Sequence, residues 1–518
     1  ILRSPQTVNI PAIVAWSPYG KEAGTVMLDD FPMRAGVPTD AVSGLQKWEG
    51  PDPAYWCAHG YAVVNPDGRG AYGSEGDMPF WGSQEARDGY DLIEWAAAQS
   101  WCNGKVGLSG NSWLALMQWF IAAANPPHLA AITPWEGLTD LYREDIARGG
   151  IIDYAFNEMM IARQPGKNRV EDIPAMIRKY PLMNSYWEDK RAKLEKIKVP
   201  AYVVGSWTNS LHSPGSMSGF AGISSRDKWL RVHNMAEWTD YYAQGNIEDL
   251  RRFFDYYLKG EQNGWGKTPR VRLSILDPDH EDKVNHPEKE FPLARTKYQK
   301  LFLDASNNTL STAKPKHENM TGYTADDGQG KSVFTFKFDR NTELTGYFKL
   351  KLWVQTNNSN DMDLFVMVQK LDAEGKVVPI LTASIQNPEQ RKAMRQMYQQ
   401  SPEKMGMLFS PGVAGKLRVS RREIDPRLSK PYQPYLTHRI EQLLKAGEIV
   451  PVEIAINPLG MVWYAGEYLS LTVSGFQRTT IPVSLPAEAF TTLRNKGEHI
   501  IHTGGKYDSH LLTPLIPG

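Results

Sequence analysis

Apolar and polar positions follow two different patterns along the chain. Up to Leu258, short apolar runs that end in turn residues alternate with longer stretches of helical period. The strand-like runs are Ala12–Trp16, Ala62–Asn65, Lys105–Leu108, Ala130–Pro134, Ala201–Trp207 and, as the last strand, Trp229–Val232. Between them, Glu85–Gln99 places Tyr90, Ile93 and Ala97 on one side and acids on the other, Ser112–Ala124 is apolar nearly all round, and Ile247–Leu258 is amphipathic. Strands alternating with helices predict an α/β fold, a mainly parallel sheet with helices on both faces. From Leu141 to Lys198 the strand signal stops. That stretch is rich in Met, Arg, Tyr and Asp with helical patches, and it predicts a helical cap inserted into the sheet domain.

After Gly266 the period changes to that of strands. Val271–Leu276, Lys300–Leu303, Val333–Phe338, Gly346–Val354, Met362–Leu371, Val450–Ile456 and Tyr468–Val473 predict an all-β region of sandwich size. Its one helical stretch is Glu389–Gln400. The expected organisation is therefore 1–140 and 199–266 for the sheet domain, 141–198 for the cap and 267–518 for the β domain.

Composition narrows the function classes. Lys+Arg and Asp+Glu are both 58, so no basic excess points to nucleic acid or a membrane surface as partner. No apolar run reaches the roughly 18 residues of a spanning helix. The longest, Trp113–Ala124, is interrupted by Gln118. Two cysteines, Cys57 and Cys102, exclude a disulfide framework and a thiolate zinc site. The chain starts at Ile1 rather than Met, so an N-terminal piece is expected to be missing, and a cytoplasmic location is expected. No metal or cofactor motif is found. Asp361-Met362-Asp363 lacks the spaced ligands of a calcium loop and is read as a β-domain turn.

The candidate chemistry centres on GLSGNSWLALMQW, residues 107–119. A nucleophile elbow sets Ser at a sharp strand-to-helix turn, flanked by small residues, with the following N–H facing the developing oxyanion. Ser109 sits at the strand end. Ser112 follows Gly110 and directly precedes the helix, where the macrodipole favours negative charge, so it is the better nucleophile. From local pattern alone, Ser112 fits a helix N-cap equally well.

The wider sequence resembles a family. Ser-Pro-Tyr-Gly-Lys (17–21), Asn-Pro-Asp-Gly-Arg-Gly-Ala-Tyr-Gly-Ser-Glu-Gly (65–76), Glu85 with Asp88-Gly89-Tyr90-Asp91, Trp101-Cys102-Asn103-Gly104-Lys105-Val106-Gly107 and Ala131-Ile132-Thr133-Pro134 come in the order found in the cocaine esterase, X-Pro dipeptidyl-peptidase and α-amino-acid ester hydrolase family (CocE/NonD-type serine hydrolases). The likeness covers nearly the whole chain. It implies an α/β-hydrolase domain with a helical cap insertion and a C-terminal jelly-roll. The family elbow G-x-S-Y-x-G matches Gly110-Asn111-Ser112-Trp113-Leu114-Ala115 with Trp for Tyr and Ala for the last Gly. Ser112 is thereby the implied nucleophile, with an oxyanion hole formed by the Tyr19 hydroxyl and the Trp113 N–H.

The acid and base depart from the family pattern. Its G-W-x-D segment aligns with Gly205-Ser206-Trp207-Thr208-Asn209, so the acid position carries Asn209. Its histidine follows the last strand, where this chain has His233, and His212 is the other histidine nearby. Asn can orient an imidazole but cannot stabilise its charged form as a carboxylate does. Glu237 or Asp240, just past His233, would then supply the acid. Trp81, Trp135 and Trp207 fall near strand ends, where ligands of open α/β sheets bind, and are candidate pocket residues. The expected activity is serine hydrolysis of a small ester, amide or other acyl substrate through a Ser112 acyl-enzyme. With Asn209 at the acid position, non-hydrolytic chemistry on a small metabolite (cyclisation, condensation or isomerisation, as in secondary metabolism) and an inactive binding protein stay open, as does a homo-oligomer.

Overall fold

The computed structural model describes residues 1–22, 28–164, 166–278, 280–383, 388–401, 408–477 and 493–517. The first half is built on an eight-stranded sheet. Its strands are β1 (Ile10–Val14), β2 (Ala62–Val64), β3 (Cys102–Asn111), β4 (Leu129–Trp135), β5 (Ala201–Ser206), β6 (Lys228–His233), β7 (Val271–Ile275) and β8 (Lys283–Glu288). They lie in the order β2-β1-β3-β4-β5-β6-β7-β8, parallel except for β8. Successive side chains of a strand point to opposite faces. Val14, Leu108 and Ile132 accordingly pack in one core with Ile93 and Leu116, whereas Ile13, Ala131 and Val204 pack in another with Phe253 and Phe254. The helices that supply these residues are α2 (Ser83–Ala97) and α3 (Trp113–Ala123) on the first face and α9 (Gln244–Phe254) on the second. The intervening helices are taken up below, and α1 spans Pro53–Ala58.

Helix α3 is apolar all round because it is buried all round, from Trp113 to Ala122. Its one polar interruption is satisfied within the core. Gln118 accepts the Thr133 N–H at 2.7 Å and donates to the Thr133 carbonyl at 3.3 Å, tying α3 to β4.

Strand identity was legible, but sheet membership was not. The sequence predicts Trp229–Val232 as the last strand of the sheet and places Val271–Leu276 in the β region. The structure instead adds β7 and β8 beyond β6. An apolar run says that a segment is extended. Which free edge it joins is decided by what lies next to it in space, and here that is the edge of β6. The end of β7 also hooks onto the β domain, since Leu276 N–H donates to the Gly460 carbonyl and Val462 N–H to the Leu276 carbonyl.

Residues 141–198 hold α4 (Tyr154–Ala162), α5 (Ile173–Lys179) and α6 (Ser185–Asp189), each begun by a side-chain cap from Asp153, Asp172 or Asn184. The C-terminal part is all-β around a long strand, Thr342–Thr356, which pairs with Val450–Trp463, Glu498–Thr503 and His510–Ile516. It also holds a helix at Pro388–Gln400. Asp361-Met362-Asp363 lies at the start of a strand there. Asp363 is held bidentately by buried Arg418, at 2.7 and 2.8 Å, and Asp361 accepts from Ser420.

The helical segment meets the β domain at Arg148–Gly150, backbone against backbone. A Cβ at Gly149 (φ +62°) would lie 2.0 Å from the Lys416 carbonyl oxygen. Gly149→Ala combines a left-handed backbone with this overlap and is expected to cost at least about 1–3 kcal/mol. Thermal unfolding and proteolysis of the 141–198 segment check it; an unchanged midpoint with unchanged cleavage would contradict the packing described.

Candidate active site

The sequence GNSW forms a strained elbow. β3 ends at Asn111, α3 starts at Trp113, and Ser112 between them has φ +55°. Positive φ at a non-glycine residue is costly and persists only where its surroundings impose it. Here Ser112 N–H donates to the Glu136 carbonyl at 3.0 Å and Asn111 N–H to the Glu49 carbonyl at 2.9 Å. A Cβ at Gly137 would lie 2.9 Å from the Ala115 side chain, so the small residues let the segment after β4 pass close to the helix. The first N–H groups of a helix lack intrahelical acceptors, which leaves the Trp113 N–H free to face a substrate oxygen.

Across from Ser112 lies a histidine, and it is His212. Its Nε2 is 3.4 Å from Ser112 Oγ, and its Nδ1 is 2.8 Å from Glu237 Oε2. A nucleophile–base contact of this length is usual in a ligand-free site. His212 follows β5 and precedes α7 (Ser213–Gly222); Glu237 follows β6 and opens α8 (Glu237–Tyr241). Burial by itself would lower the His212 pKa. Glu237 outweighs it, aided by Glu136 and Asp145, and the net shift is upward from 6.5. Asn209 stands 3.0 Å from His212 Nδ1 through its amide nitrogen, while its Oδ1 accepts the N–H groups of Leu211 and His212. It therefore shapes the loop that presents the imidazole, and the carboxylate beside that imidazole is Glu237.

His233 is not in reach of Ser112. It is buried with Nε2 2.9 Å from Glu136 Oε1, an ion-pair distance without hydrogen-bond alignment, and 3.5 Å from Asp240 Oδ2. Its Nδ1 accepts the Met235 N–H. Asp240 is paired with Arg231, accepts the Trp135 indole N–H at 3.1 Å and is held below the usual carboxylate range: burial opposes this, but Arg231 and His233 prevail. As the last residue of β6, His233 projects into the sheet's own core, whereas the loop after β5 turns back over Ser112.

Tyr19 packs edge-on against Trp113, with ring centres 6.0 Å apart, and its hydroxyl lies beside that of Ser112. Burial, then the Glu49 charge, push its pKa well above 10, so the phenol keeps its proton and acts as a donor. Glu85, buried under the elbow, accepts the indole N–H groups of Trp16 and Trp113 at 2.9 Å and the Trp81 backbone N–H at 3.0 Å; burial raises it to about 7. The three candidate pocket tryptophans are core residues. Trp81 stacks near Phe80 and Trp113, Trp135 reaches Asp240, and Trp207 donates to the Ser274 carbonyl at 2.6 Å. A cleft of about 810 Å³, counted out to its mouth, opens instead beside Ser210 and Leu211, next to His212 in the chain. Phe156, Phe365, Met367 and Phe476 line it together with the charged side chains of Asp145, Arg148, Asp153 and Lys416.

Two buried acids in the site, Glu49 and Glu136, escape sequence analysis. Their only signal is an acid in apolar company, after Trp48 and after Trp135. Glu136, His212 and Glu237 each offer a ligand atom within 4.8 Å of the others, the one such trio among the described residues. The His212 nitrogens face Ser112 and Glu237, so a cation held there would displace His212 from Ser112.

A serine on an elbow above a mainly parallel sheet, a buried histidine–carboxylate pair and a C-terminal all-β region define an α/β hydrolase with an appended β domain. A family model described as X-Pro dipeptidyl-peptidase (S15 family) matches residues 1–172, and one described as X-Pro dipeptidyl-peptidase C-terminal non-catalytic domain matches residues 263–512. The crystal structure of a CocE/NonD family hydrolase from Staphylococcus aureus is 37% identical, covers 99% of this chain and 90% of that one, and superposes with a TM-score of 0.88. The chain belongs to the CocE/NonD family of hydrolases. Cocaine esterase from Rhodococcus sp. is 25% identical over 335 residues, 52% of this chain and 57% of the esterase, so the match spans little more than half of that curated relative. An α-amino acid ester hydrolase, 17% identical with a TM-score of 0.69 over 99% of this chain and 93% of that one, shares the fold. No helix among the described residues is long and apolar enough to cross a membrane.

Removing the Glu85 carboxylate would leave three buried N–H donors without their acceptor. Glu85→Ala is expected to lose about 2–4 kcal/mol in urea unfolding, and Glu85→Gln, which keeps one acceptor oxygen, less. Equal and negligible losses would contradict the bracing role.

Proposed function

We propose that the protein is a serine hydrolase of small esters or related acyl substrates, working through Ser112, His212 and Glu237. The observation that carries this is the continuous contact from Ser112 Oγ to His212 Nε2 and from His212 Nδ1 to Glu237. Ser112 Oγ attacks the substrate carbonyl carbon and gives its proton to His212. The Tyr19 hydroxyl and the Trp113 N–H receive the oxyanion, and His212 returns the proton to the leaving group. Water, deprotonated by His212, then releases the acid and restores the serine. Glu237 holds the imidazole in its Nδ1–H form and stabilises its charged state.

The usual α/β-hydrolase order is serine, acid, histidine. Here the two supporting loops exchange roles: the loop after β5 carries the histidine and the loop after β6 carries the acid. The same constellation arises because only the spatial relation of the three groups matters. The case for non-hydrolytic chemistry or an inactive site rested on Asn209, and Glu237 makes good the carboxylate missing there. The cleft beside Leu211 joins apolar side chains, which would hold an acyl or aryl group, to charged ones, Asp145, Arg148, Asp153 and Lys416, which would meet a polar end of the substrate.

Two tests follow from the proton path. A fluorophosphonate probe and a short aryl ester are expected to acylate the wild type, and Ser112→Ala to lose labelling. His212→Ala should lose about 10⁴-fold or more in turnover, whereas His233→Gln should keep labelling. Loss of labelling in His233→Gln with retention in His212→Ala would overturn the assignment. His212 must be neutral to accept the proton, and its pKa is raised in the folded protein. Activity as kcat/KM should therefore fall with decreasing pH through a midpoint above 6.5, and Glu237→Gln should move that midpoint down while lowering kcat. A wild-type midpoint at or below 6.5 would contradict the pairing.

A further inference from the structure

Glu49 is the acid that the proton path above does not use. It belongs to Lys47-Trp48-Glu49-Gly50, has φ +62° and is 3% exposed. Its backbone and side chain grip the site from two sides. The carbonyl accepts the Asn111 N–H beside the nucleophile, and Oε1 accepts the indole N–H of Trp238, the neighbour of Glu237, at 2.9 Å. The other oxygen, Oε2, is buried and has no hydrogen-bond partner, and the hydrogen bond of Ser112 Oγ is to His212 Nε2. The carboxyl lies against the Ser112 hydroxyl and within the field of the Glu237 carboxylate.

The groups facing it are of one electrostatic kind. Glu237, Tyr241 and Tyr242 lie on or beside α8, and Tyr19 follows β1; all would be negative or neutral. Lys47, two residues away, spends its ammonium on the Ser17 and Pro66 carbonyls. A buried carboxylate facing another carboxylate, with no cation beside it, takes up a proton. Burial and then the Glu237 charge do raise Glu49 well above the usual carboxylate range.

We propose that Glu49 is a positioning residue: a neutral carboxylic acid whose Oε2–H donates to Ser112 Oγ and so turns the serine's own proton toward His212 Nε2. The hydrogen-bond count of the nucleophile then closes. A hydroxyl has two acceptor positions and one proton. Glu49 and Tyr19 occupy the acceptor positions in the resting site, and His212 takes the proton. When substrate binds, Tyr19 is released to the oxyanion while Glu49 keeps the rotor fixed. Ionised, Glu49 would accept the serine's proton instead and draw it away from His212.

This inference rests on the serine-hydrolase reading, but its first test needs no turnover. A protonated carboxyl has its own infrared carbonyl band. The difference spectrum of wild type minus Glu49→Gln at neutral pH is expected to contain that band, and its absence would overturn the proposal. The second test uses the aryl ester. Glu49→Gln preserves both contacts, with its amide N–H to Ser112 and its oxygen to Trp238, and should retain kcat within about 5-fold; Glu49→Ala should lose about 10- to 100-fold in kcat with little change in KM. The alkaline fall in kcat/KM caused by Glu49 ionisation should disappear from the wild-type profile in Glu49→Gln. A collapse of Glu49→Gln to the level of Glu49→Ala would show that ionisation is needed and overturn the proposal, as would identical pH profiles for wild type and Glu49→Gln. Thermal midpoints of both variants separate loss of fold from loss of kcat.

Discussion

The site depends on how the buried carboxyl groups near the Ser112 elbow and the strands behind it are accommodated. Asp240 has Arg231. Glu136 lies 2.9 Å from the His233 ring, and Glu237 2.8 Å from that of His212. Glu85 has three N–H donors. Ionised carboxyls in a dry interior need a cation or several hydrogen bonds, and Arg231 meets that need for Asp240 as the three donors do for Glu85. Position separates the two histidines: His233 faces the buried Glu136 and Asp240, and His212 faces Ser112. Glu49 has a single donor, the Trp238 indole, and neither oxygen of Glu136 takes a hydrogen bond.

The same constraint ties the parts of the fold together. Glu49 comes from the loop before α1, Glu85 from α2, Glu136 from the end of β4, Glu237 and Asp240 from α8. They come together because the parallel strands all end on one side of the sheet. The strained Ser112 backbone is held by carbonyls of two of these segments, at Glu49 and Glu136. The segments that carry the acids also supply the hydrogen bonds that keep the serine in its costly conformation.

Much of the site was legible where the relevant information is local. GNSW, with glycine before the serine and an apolar helix after it, announces an elbow because sharp turns and close backbone approach restrict residue type over a few positions. Tyr19 was legible through its motif. The histidine and the acid were harder because the loops after β5 and β6 each carry a histidine and a residue able to pair with it: Asn209 and His212 in one, His233, Glu237 and Asp240 in the other. Chain order favours His233. The three-residue Asx turn built on Asn209, which swings His212 over the serine, has no strong periodic signature. The pocket tryptophans were misplaced for a related reason, since a tryptophan near a strand end has the same sequence context whether it faces the cleft or the core.

By itself, the sequence determined the alternation of strands and helices, the change to an all-β region after Gly266, the elbow serine and its Tyr19 neighbour, since each depends on patterns spanning a few residues or one element. Only the tertiary structure decided that β7 and β8 join the first sheet, that His212 rather than His233 faces Ser112, and that Glu49, Glu136 and Glu237 converge on one point. Those outcomes depend on which segments, far apart in the chain, are brought within a few ångströms, and on how their buried charges balance. No local pattern of residues encodes that balance.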